Sequence, residues 1–162
     1  MDYNRDEIKA LMAQCLVSTK MTAKVLFPER FTLPFSGLHD QIFAALDSDA
    51  QRVVIKAPRG WGKTSIVNLA FPAKNICFMD KKFIVPISNT ATQATMQSEN
   101  LKHELVSNSD INKIFGSVKS DNFSKEMWVS SNGFAVMPRG AGQQVRGLLY
   151  GDSRPDLIAC LS

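Results

Sequence analysis

The sequence predicts an α/β protein in which an incomplete parallel β-sheet is flanked by helices and preceded by an N-terminal helical segment. Two runs of adjacent apolar residues, "QRVVIKA" (51–57) and "KKFIVPIS" (81–88), are typical of strands covered on both faces. A helical pattern follows each run, so strand, helix, strand and helix form a βαβ unit. We expect a helical segment over 1–50 and an incomplete α/β core over 51–162.

The composition is that of a globular, mildly basic chain. Its 162 residues are 44% apolar and 21% charged, which is enough for one domain with a core. The acidic start, with Asp2, Asp6 and Glu7, and the lack of an apolar run near the roughly 20 residues that span a bilayer predict neither a secretory signal nor a membrane segment. The net charge of +4 is compatible with a polyanionic partner.

The three cysteines, Cys15, Cys77 and Cys160, are odd in number and widely spaced. This pattern favours neither a disulfide framework nor a zinc site, and it fits a reducing compartment. We expect all three to be small apolar residues that fill gaps in the core.

The N-terminal segment is predicted to hold two helices. Residues 4–24 carry an apolar stripe at three- and four-residue steps, with Asn4 as the cap and acidic residues in the first turn. "FPERFTLPFSG" then interrupts regular structure because of its prolines and glycine. A second helix is expected over 38–46, and "DSDAQ" ends it.

The remaining elements follow from local patterns. The helix that begins at Thr64 contains Pro72, so we expect a kink or a restart before Ile76. Residues 89–108 predict a helix capped by Asn89 or Thr90. Two short strands, 126–130 and 134–138, are joined by a Ser-Asn-Gly turn and predict an antiparallel hairpin added to the sheet. "PDLIACL" predicts a last strand at the sheet edge.

The motif "APRGWGKT" (57–64) has the spacing of a P-loop, the Walker A sequence, with one departure. Ala57 stands where glycine is usual, which the backbone tolerates when φ is negative there. The flanks agree with the motif because a predicted strand precedes it and a predicted helix follows it. The competing interpretation is a surface glycine turn with a solvated lysine.

Each later position of the motif has a chemical reason. Gly60 and Gly62 let backbone N–H groups turn inward as an anion nest, and the helix that follows points its positive dipole end at the same anion. Lys63 can reach β- and γ-phosphate oxygens, and the Thr64 hydroxyl can bind Mg²⁺. The motif therefore predicts a nucleotide triphosphate site.

Two loop residues and two acids bear on hydrolysis. Arg59 is either an arginine supplied in cis to the γ-phosphate or a surface residue paired with an acid. Trp61 is bulky and is expected to point outward. Asp80 and Asp156 are the acids near predicted strands, but Asp80 follows a run that continues the loop helix and Asp156 precedes its strand, so neither is well placed to hold Mg²⁺.

Four stretches, in order, resemble the N-terminal ATPase domain of the large terminase subunit of tailed bacteriophages. "APRGWGKT" is similar to that family's Pro-Arg-Gly-x-Gly-Lys-Ser/Thr loop, and "FIVPISNTATQA" resembles its second strand and following helix. "GAGQQVRG" resembles its Gly-x-Gly-x-x-x-Arg-Gly segment, and "RPDLIA" resembles the start of its Walker B strand. Together they cover most of the chain from residue 53 onward.

The resemblance implies a P-loop NTPase fold, ATP and Mg²⁺ as ligands, and an ATPase that drives double-stranded phage DNA into the capsid. It also implies a ring of subunits that works with the small terminase subunit and the portal. The protein would lie in the host cytoplasm, with no membrane partner, and would not be a stable part of the virion. The cofactor-binding residues carried over are Pro58, Arg59, Gly60, Trp61, Gly62, Lys63, Thr64 and Ser65, with Thr64 as the Mg²⁺ ligand.

The resemblance assigns catalytic roles to Arg59, Lys63 and Arg146. Arg146 matches the family's Arg-Gly arginine, which would couple subunits or reach a neighbour's nucleotide; otherwise it is a structural arginine in a glycine-rich turn. Phe35 and Gln41 are candidates for the aromatic and amide groups that hold adenine, although Phe35 reads equally well as a core residue.

The chain departs from the family where an acidic pair should follow "DLIAC". We therefore expect a truncated ATPase core that binds ATP and is impaired in hydrolysis. Two alternatives remain open: a non-enzymatic nucleotide-binding or assembly fragment, and a helicase-like DNA-linked P-loop ATPase.

Overall fold

The computed structural model describes residues 4–161, and these have an α/β fold, which confirms the predicted class. The chain divides by its internal packing into two compact units, Met1–Lys74 and Asn75–Ser162. All five strands belong to the second unit, where they form one mixed sheet. The division predicted from the sequence, a helical segment over 1–50 and an α/β core over 51–162, stays a prediction.

The N-terminal helix is divided in two, α1 (Arg5–Val17) and α2 (Thr19–Leu26), so the prediction of one helix over 4–24 is wrong. Asn4 caps α1 as predicted: its Oδ1 accepts from the N–H of Asp6 at 3.0 Å. Ser18 adopts an extended backbone between the helices, and its hydroxyl accepts from the N–H of Met21 at 3.2 Å. The break occurs because a second cap begins there.

Helix α3 (Gly37–Leu46) is present as predicted and contributes to the core of the first unit. That core contains Ala23, Ile42, Phe43, Ile66 and Ala70, with half-buried Phe31, Phe35, Leu38, Leu46, Ile55 and Ala57 packed against it. Ile55, before the P-loop motif, and Ala57, its first residue, thus pack against this core.

The prediction of a buried strand over 51–57 is wrong. The structure assigns no regular secondary structure to residues 52–57. Val53 and Val54 are exposed, and Val54 keeps 83% of its surface accessible. The adjacent apolar residues suggested cover on both faces, but only Ile55 and Ala57 face the core.

Helical residues run without interruption from Lys63 to Phe78, as α4 (Lys63–Ser65), a π-helical turn (Ile66–Ala70) and α5 (Phe71–Phe78). In the π turn the N–H of Phe71 donates to the carbonyl of Ile66. A proline ring ordinarily clashes with the carbonyl four residues earlier, and a wider turn relieves that clash. The expected disturbance at Pro72 therefore takes the form of a π turn just before it.

The sheet is built around β1 (Phe83–Ser88). One edge of β1 pairs in parallel with β3 (Ala135–Val136) and then with β4 (Arg139–Gly140), and the other edge pairs in parallel with β5 (Leu157–Leu161). β2 (Trp128–Val129) pairs antiparallel with β3, as predicted for the hairpin. Among residues 4–161, β5 has β1 as its only strand partner, which places it at the sheet edge as expected.

Pro86 lies in the middle of β1, an unusual place for a residue without an N–H. Pairing towards β3 and β4 is interrupted at this point, between the pairs Ile84–Val136 and Ile87–Arg139. The missing donor therefore faces a gap in the ladder.

The second unit also contains α6 (Ala91–Ser107) and α7 (Ser109–Phe115). Thr90 caps α6, as predicted, and the buried face of α6 carries Ala94, Ser98, Leu101 and Leu105. The hydroxyl of Ser98 accepts from the indole Nε1–H of fully buried Trp128 at 2.8 Å.

The cysteines differ in burial. Cys15 is buried, Cys77 is half-buried and Cys160 is exposed on β5, so the prediction of a packed filler is wrong for Cys160. Burial raises the pKa of the Cys15 thiol, and a hydrogen bond with Thr22 opposes the rise. Over the described part of the chain, no helix combines the length and apolar character needed to cross a bilayer.

Candidate functional site

The loop of the P-loop motif has the backbone conformation that its glycines permit. Gly60 has φ +83° and Gly62 has φ +65°, both in the left-handed region that favours glycine. Gly62 is also the N-cap residue directly before the helical run, and its carbonyl accepts from the N–H of Ile66 at 3.0 Å. Ala57 lacks a positive φ, so its replacement of the usual glycine costs no strain.

The side chain of Lys63 forms a hydrogen bond within the loop. Its Nζ donates to the carbonyl of Ala57, the first residue of the motif, and its side chain is half-buried. The ammonium group is therefore held across the mouth of the loop by a single neutral acceptor. A phosphate oxygen is a stronger partner for an ammonium than a carbonyl is.

Trp61 lies between the two glycines and is held by a residue that the sequence interpretation missed. The carbonyl of Trp61 lies 3.1 Å from Nε2 of His39, and the two rings stack with centroids 5.5 Å apart. Trp61 retains 38% exposure, so the expected outward orientation holds for part of the ring. The Ser36-x-x-His39 spacing indicates a cap at the start of α3, but it does not indicate the contact of His39 with Trp61.

The other predicted loop residues are accessible. Pro58, Arg59 and Thr64 are exposed, and Ser65 is half-buried. Within residues 4–161 no acid pairs with Arg59. The surface ion pair considered for this arginine is therefore absent from the described part of the chain.

The two candidate adenine residues differ in environment. Phe35 packs against the core of the first unit, with its ring 4.9 Å from that of Phe43 and 5.6 Å from that of Phe31. Gln41 is exposed on α3. The packing supports the core interpretation of Phe35, and the adenine roles stay a prediction.

The two acids considered for Mg²⁺ differ in their contacts. Asp156 uses both carboxylate oxygens to accept from the N–H groups of Lys82 and Phe83, at 2.8 and 2.9 Å. Asp80 follows α5 and is exposed, with its N–H bonded to the carbonyl of Asn75. Both placements agree with the sequence-based doubts about these residues.

Arg146 belongs to the second unit and is exposed in the glycine-rich turn after β4. Its carbonyl accepts from Nε2 of Gln144 at 3.1 Å. Gly140, at the start of this turn, packs so closely on α6 that a Cβ there would lie 2.4 Å from the backbone nitrogen of Ala91. A glycine is therefore required at position 140 for a steric reason.

The described residues offer few protein groups to a metal ion at the loop. No group of three or more His, Cys, Asp or Glu side chains in the described range could hold a metal ion. Mg²⁺ at phosphate sites is usually held by one or two protein ligands together with phosphates and water. The exposed Thr64 hydroxyl fits such a site as a single protein ligand.

A scan of protein-family models and searches of curated proteins and of solved structures find no match to this chain.

Proposed function

We propose that this chain is the ATP-binding part of a phage DNA-packaging motor of the large-terminase type, with a P-loop NTPase fold. The observation that carries the proposal is the loop itself, in which left-handed Gly60 and Gly62 stand directly before the helical run of Lys63–Phe78. The ordered resemblance of four stretches adds the terminase assignment to the general P-loop chemistry.

Lys63 supports phosphate binding because its ammonium is already directed across the loop. Binding would exchange the carbonyl of Ala57 for β- and γ-phosphate oxygens and gain a charge-assisted bond. Arg59 is exposed at the same loop and would meet the γ-phosphate. The Thr64 hydroxyl would bind a Mg²⁺ ion that arrives with the nucleotide.

The proposed motor joins copies of this chain around double-stranded DNA, with the small subunit and the portal as further partners. ATP hydrolysis needs a carboxylate at the end of a strand beside the loop. The carboxylate of Asp156 is bonded to Lys82 and Phe83, and Asp80 follows helix α5 and not a strand. We therefore propose ATP binding for the chain by itself, with turnover depending on acidic residues provided from elsewhere.

The test is equilibrium binding of ATP with Mg²⁺ by calorimetry. Lys63→Ala removes the charged donor, so the Kd should rise by about 30-fold, the equivalent of one charge-assisted hydrogen bond. Lys9→Ala is the matched control because Lys9 is exposed on α1. Equal affinity of the Lys63→Ala and wild-type proteins would contradict the proposal.

A nucleotide-binding module without turnover is the second candidate, and the engagement of both Asp156 oxygens by β1 favours it. Phosphate release measured with and without double-stranded DNA separates the two. DNA-stimulated release would support the motor enzyme, and tight binding without release would support the module.

A further inference from the structure

His39 occupies a position between a helix cap and the candidate phosphate loop. It lies in the first turn of α3, where its Nδ1 is 3.0 Å from the N–H of Ser36 and 2.9 Å from the Ser36 hydroxyl. Its Nε2 is 3.1 Å from the carbonyl oxygen of Trp61. Both ring nitrogens therefore have partners.

The identity of these partners fixes the tautomer of the ring. A backbone N–H can only donate, so Nδ1 accepts and carries no proton. A carbonyl can only accept, so Nε2 carries the proton and donates it to Trp61. The neutral imidazole with hydrogen on Nε2 is the form that satisfies both bonds.

The bond to Trp61 sets the orientation of one peptide plane in the loop. The described chain contains no cis peptide bond, so the carbonyl of Trp61 and the N–H of Gly62 point in opposite directions. With the carbonyl turned to His39, the Gly62 N–H is turned away from it. Stacking against the indole, with ring planes 34° apart, adds a second restraint on the same residue.

The imidazole is itself well supported. The ring of Phe35 lies with its centroid 5.6 Å from that of His39, and Phe35 in turn contacts Phe43 of the core. Such external contacts add order to a glycine-flanked loop, because glycine restricts the backbone least of all residues.

We infer that His39 is a positioning residue that holds the Trp61–Gly62 peptide in the orientation required for the Gly62 N–H to bind a phosphate oxygen. This inference rests on the proposed nucleotide function for its consequence, but the contact can be tested without nucleotide. His39 acts through the loop backbone and need not contact the ligand.

The test uses three substitutions of His39 that remove the hydrogen bonds to Ser36 and Trp61 together or separately. His39→Ala removes both. His39→Asn places an acceptor near Nδ1, so it retains the bond to Ser36 but does not reach Trp61. His39→Gln places an amide N–H near the position of Nε2, so it retains the donor to Trp61.

The expected order of ATP affinity separates positioning from a general effect on folding. His39→Ala and His39→Asn should each bind ATP with Mg²⁺ about tenfold more weakly than wild type, and His39→Gln should recover most of that loss. His39→Asn should melt close to the wild-type temperature because its cap survives. Wild-type affinity in His39→Asn, or failure of His39→Gln to recover it, would overturn the inference.

A second readout works on the ligand-free protein. The chain has two tryptophans, and Trp128 is fully buried, so acrylamide quenching of the accessible emission reports Trp61. Quenching should increase in His39→Ala and His39→Asn, and Trp61→Phe defines the contribution of Trp128. Unchanged quenching in both variants would overturn the inference, whereas absence of ATP binding by the wild type, with increased quenching in the variants, would refute the nucleotide function alone.

Discussion

Asp156 joins the start of β5 to the start of β1 through reciprocal bonds with Phe83. Its Oδ1 accepts from the N–H of Phe83 at 2.9 Å, and its own N–H donates to the carbonyl of Phe83 at 3.0 Å. The second carboxylate oxygen accepts from the N–H of Lys82 at 2.8 Å. Asp156, which the sequence placed poorly for binding Mg²⁺, therefore accepts hydrogen bonds that join two parallel strands.

Removing this carboxylate should destabilise the second unit. Asp156→Ala leaves the N–H groups of exposed Lys82 and buried Phe83 without their acceptor. Water can replace the acceptor at Lys82 but less easily at Phe83, so we expect a loss of about 1 kcal/mol in the free energy of unfolding. Asp156→Asn keeps one oxygen and should lose less. Urea unfolding followed by the emission of buried Trp128 measures the effect in the same unit.

Asp152→Ala is the control because Asp152 is exposed like Asp156 and lies nearby in the turn before β5, whereas only the Asp156 carboxylate accepts from Lys82 and Phe83. It should leave the urea midpoint unchanged. ATP affinity should be the same in both variants; an Asp156→Asn protein that folds normally but loses Mg²⁺-dependent ATP binding would point to a metal role instead.

The parts of the fold that sequence predicted are those decided by neighbouring residues. The caps at Asn4 and Thr90 and the turn of the β2–β3 hairpin depend on side chains within a few positions. Apolar continuity also predicted β1, because consecutive side chains of that strand, Phe83 to Pro86, are buried and both faces are therefore covered.

The parts that failed depend on distant residues. The strand predicted over 51–57 required cover on both faces, and Val54 instead faces solvent. The break at Ser18 is accompanied by bonds from Thr19 to Asp47, which lies 28 positions away. The contact of His39 with Trp61 spans 22 positions, and no local pattern encodes it.

The glycines at positions 62 and 140 should respond differently to substitution. At Gly62 a Cβ meets open space, so the cost of Gly62→Ala comes from the left-handed φ and should be about 1–2 kcal/mol. Gly62→Asn should cost less because asparagine tolerates that region. Urea midpoints for the pair give the comparison.

At Gly140, in contrast to Gly62, alanine should be better tolerated than asparagine. Gly140→Ala forces a Cβ against the backbone of Ala91 and should cost about 3 kcal/mol, and the larger Gly140→Asn should cost more. If asparagine were better tolerated than alanine at position 140, backbone conformation rather than steric contact would explain that glycine.

Restoring the usual first glycine of the P-loop motif should bring no benefit. Ala57 has no positive φ and is half-buried against the core of the first unit. Ala57→Gly should leave the Kd for ATP unchanged and lower the free energy of unfolding by about 1 kcal/mol through chain entropy and lost packing. Calorimetry and urea unfolding test the two parts, and a marked gain in ATP affinity would show that Ala57 restricts the loop.

The cysteines should react with iodoacetamide in the order of their exposure. Exposed Cys160 should be alkylated first and buried Cys15 last, since burial also raises the Cys15 pKa and lowers its thiolate fraction. Because the pKa of Cys15 is higher in the folded than in the unfolded protein, burial of the neutral thiol favours folding fully at pH values below the unfolded pKa. This stabilisation is lost as the pH rises from the unfolded pKa through the folded pKa. Mass mapping at increasing pH gives the order, and early labelling of Cys15 in folded protein would contradict the packing.

The ion pair between Lys74 and Asp47 should be the most costly to break in the first unit. Asp47 Oδ1 accepts from Lys74 Nζ at 2.7 Å and from the Thr19 hydroxyl at 2.6 Å, and Lys74 retains only 8% exposure. Asp47→Ala leaves that ammonium buried without its carboxylate, so we expect a loss of about 3 kcal/mol. Unfolding in urea, followed by the emission of Trp61, measures it.

The chain offers a matched comparison in the exposed pair of Lys20 and Asp40, whose nitrogen and oxygen are 2.6 Å apart. Asp40→Ala breaks a bond of similar length in solvent and should cost no more than about 1 kcal/mol. Raising the salt concentration should reduce the effect at Asp40 and leave that at Asp47 nearly unchanged, because buried charges are screened less. Equal losses for the two variants would mean that water reaches Lys74 and that its burial does not govern the energy of the pair.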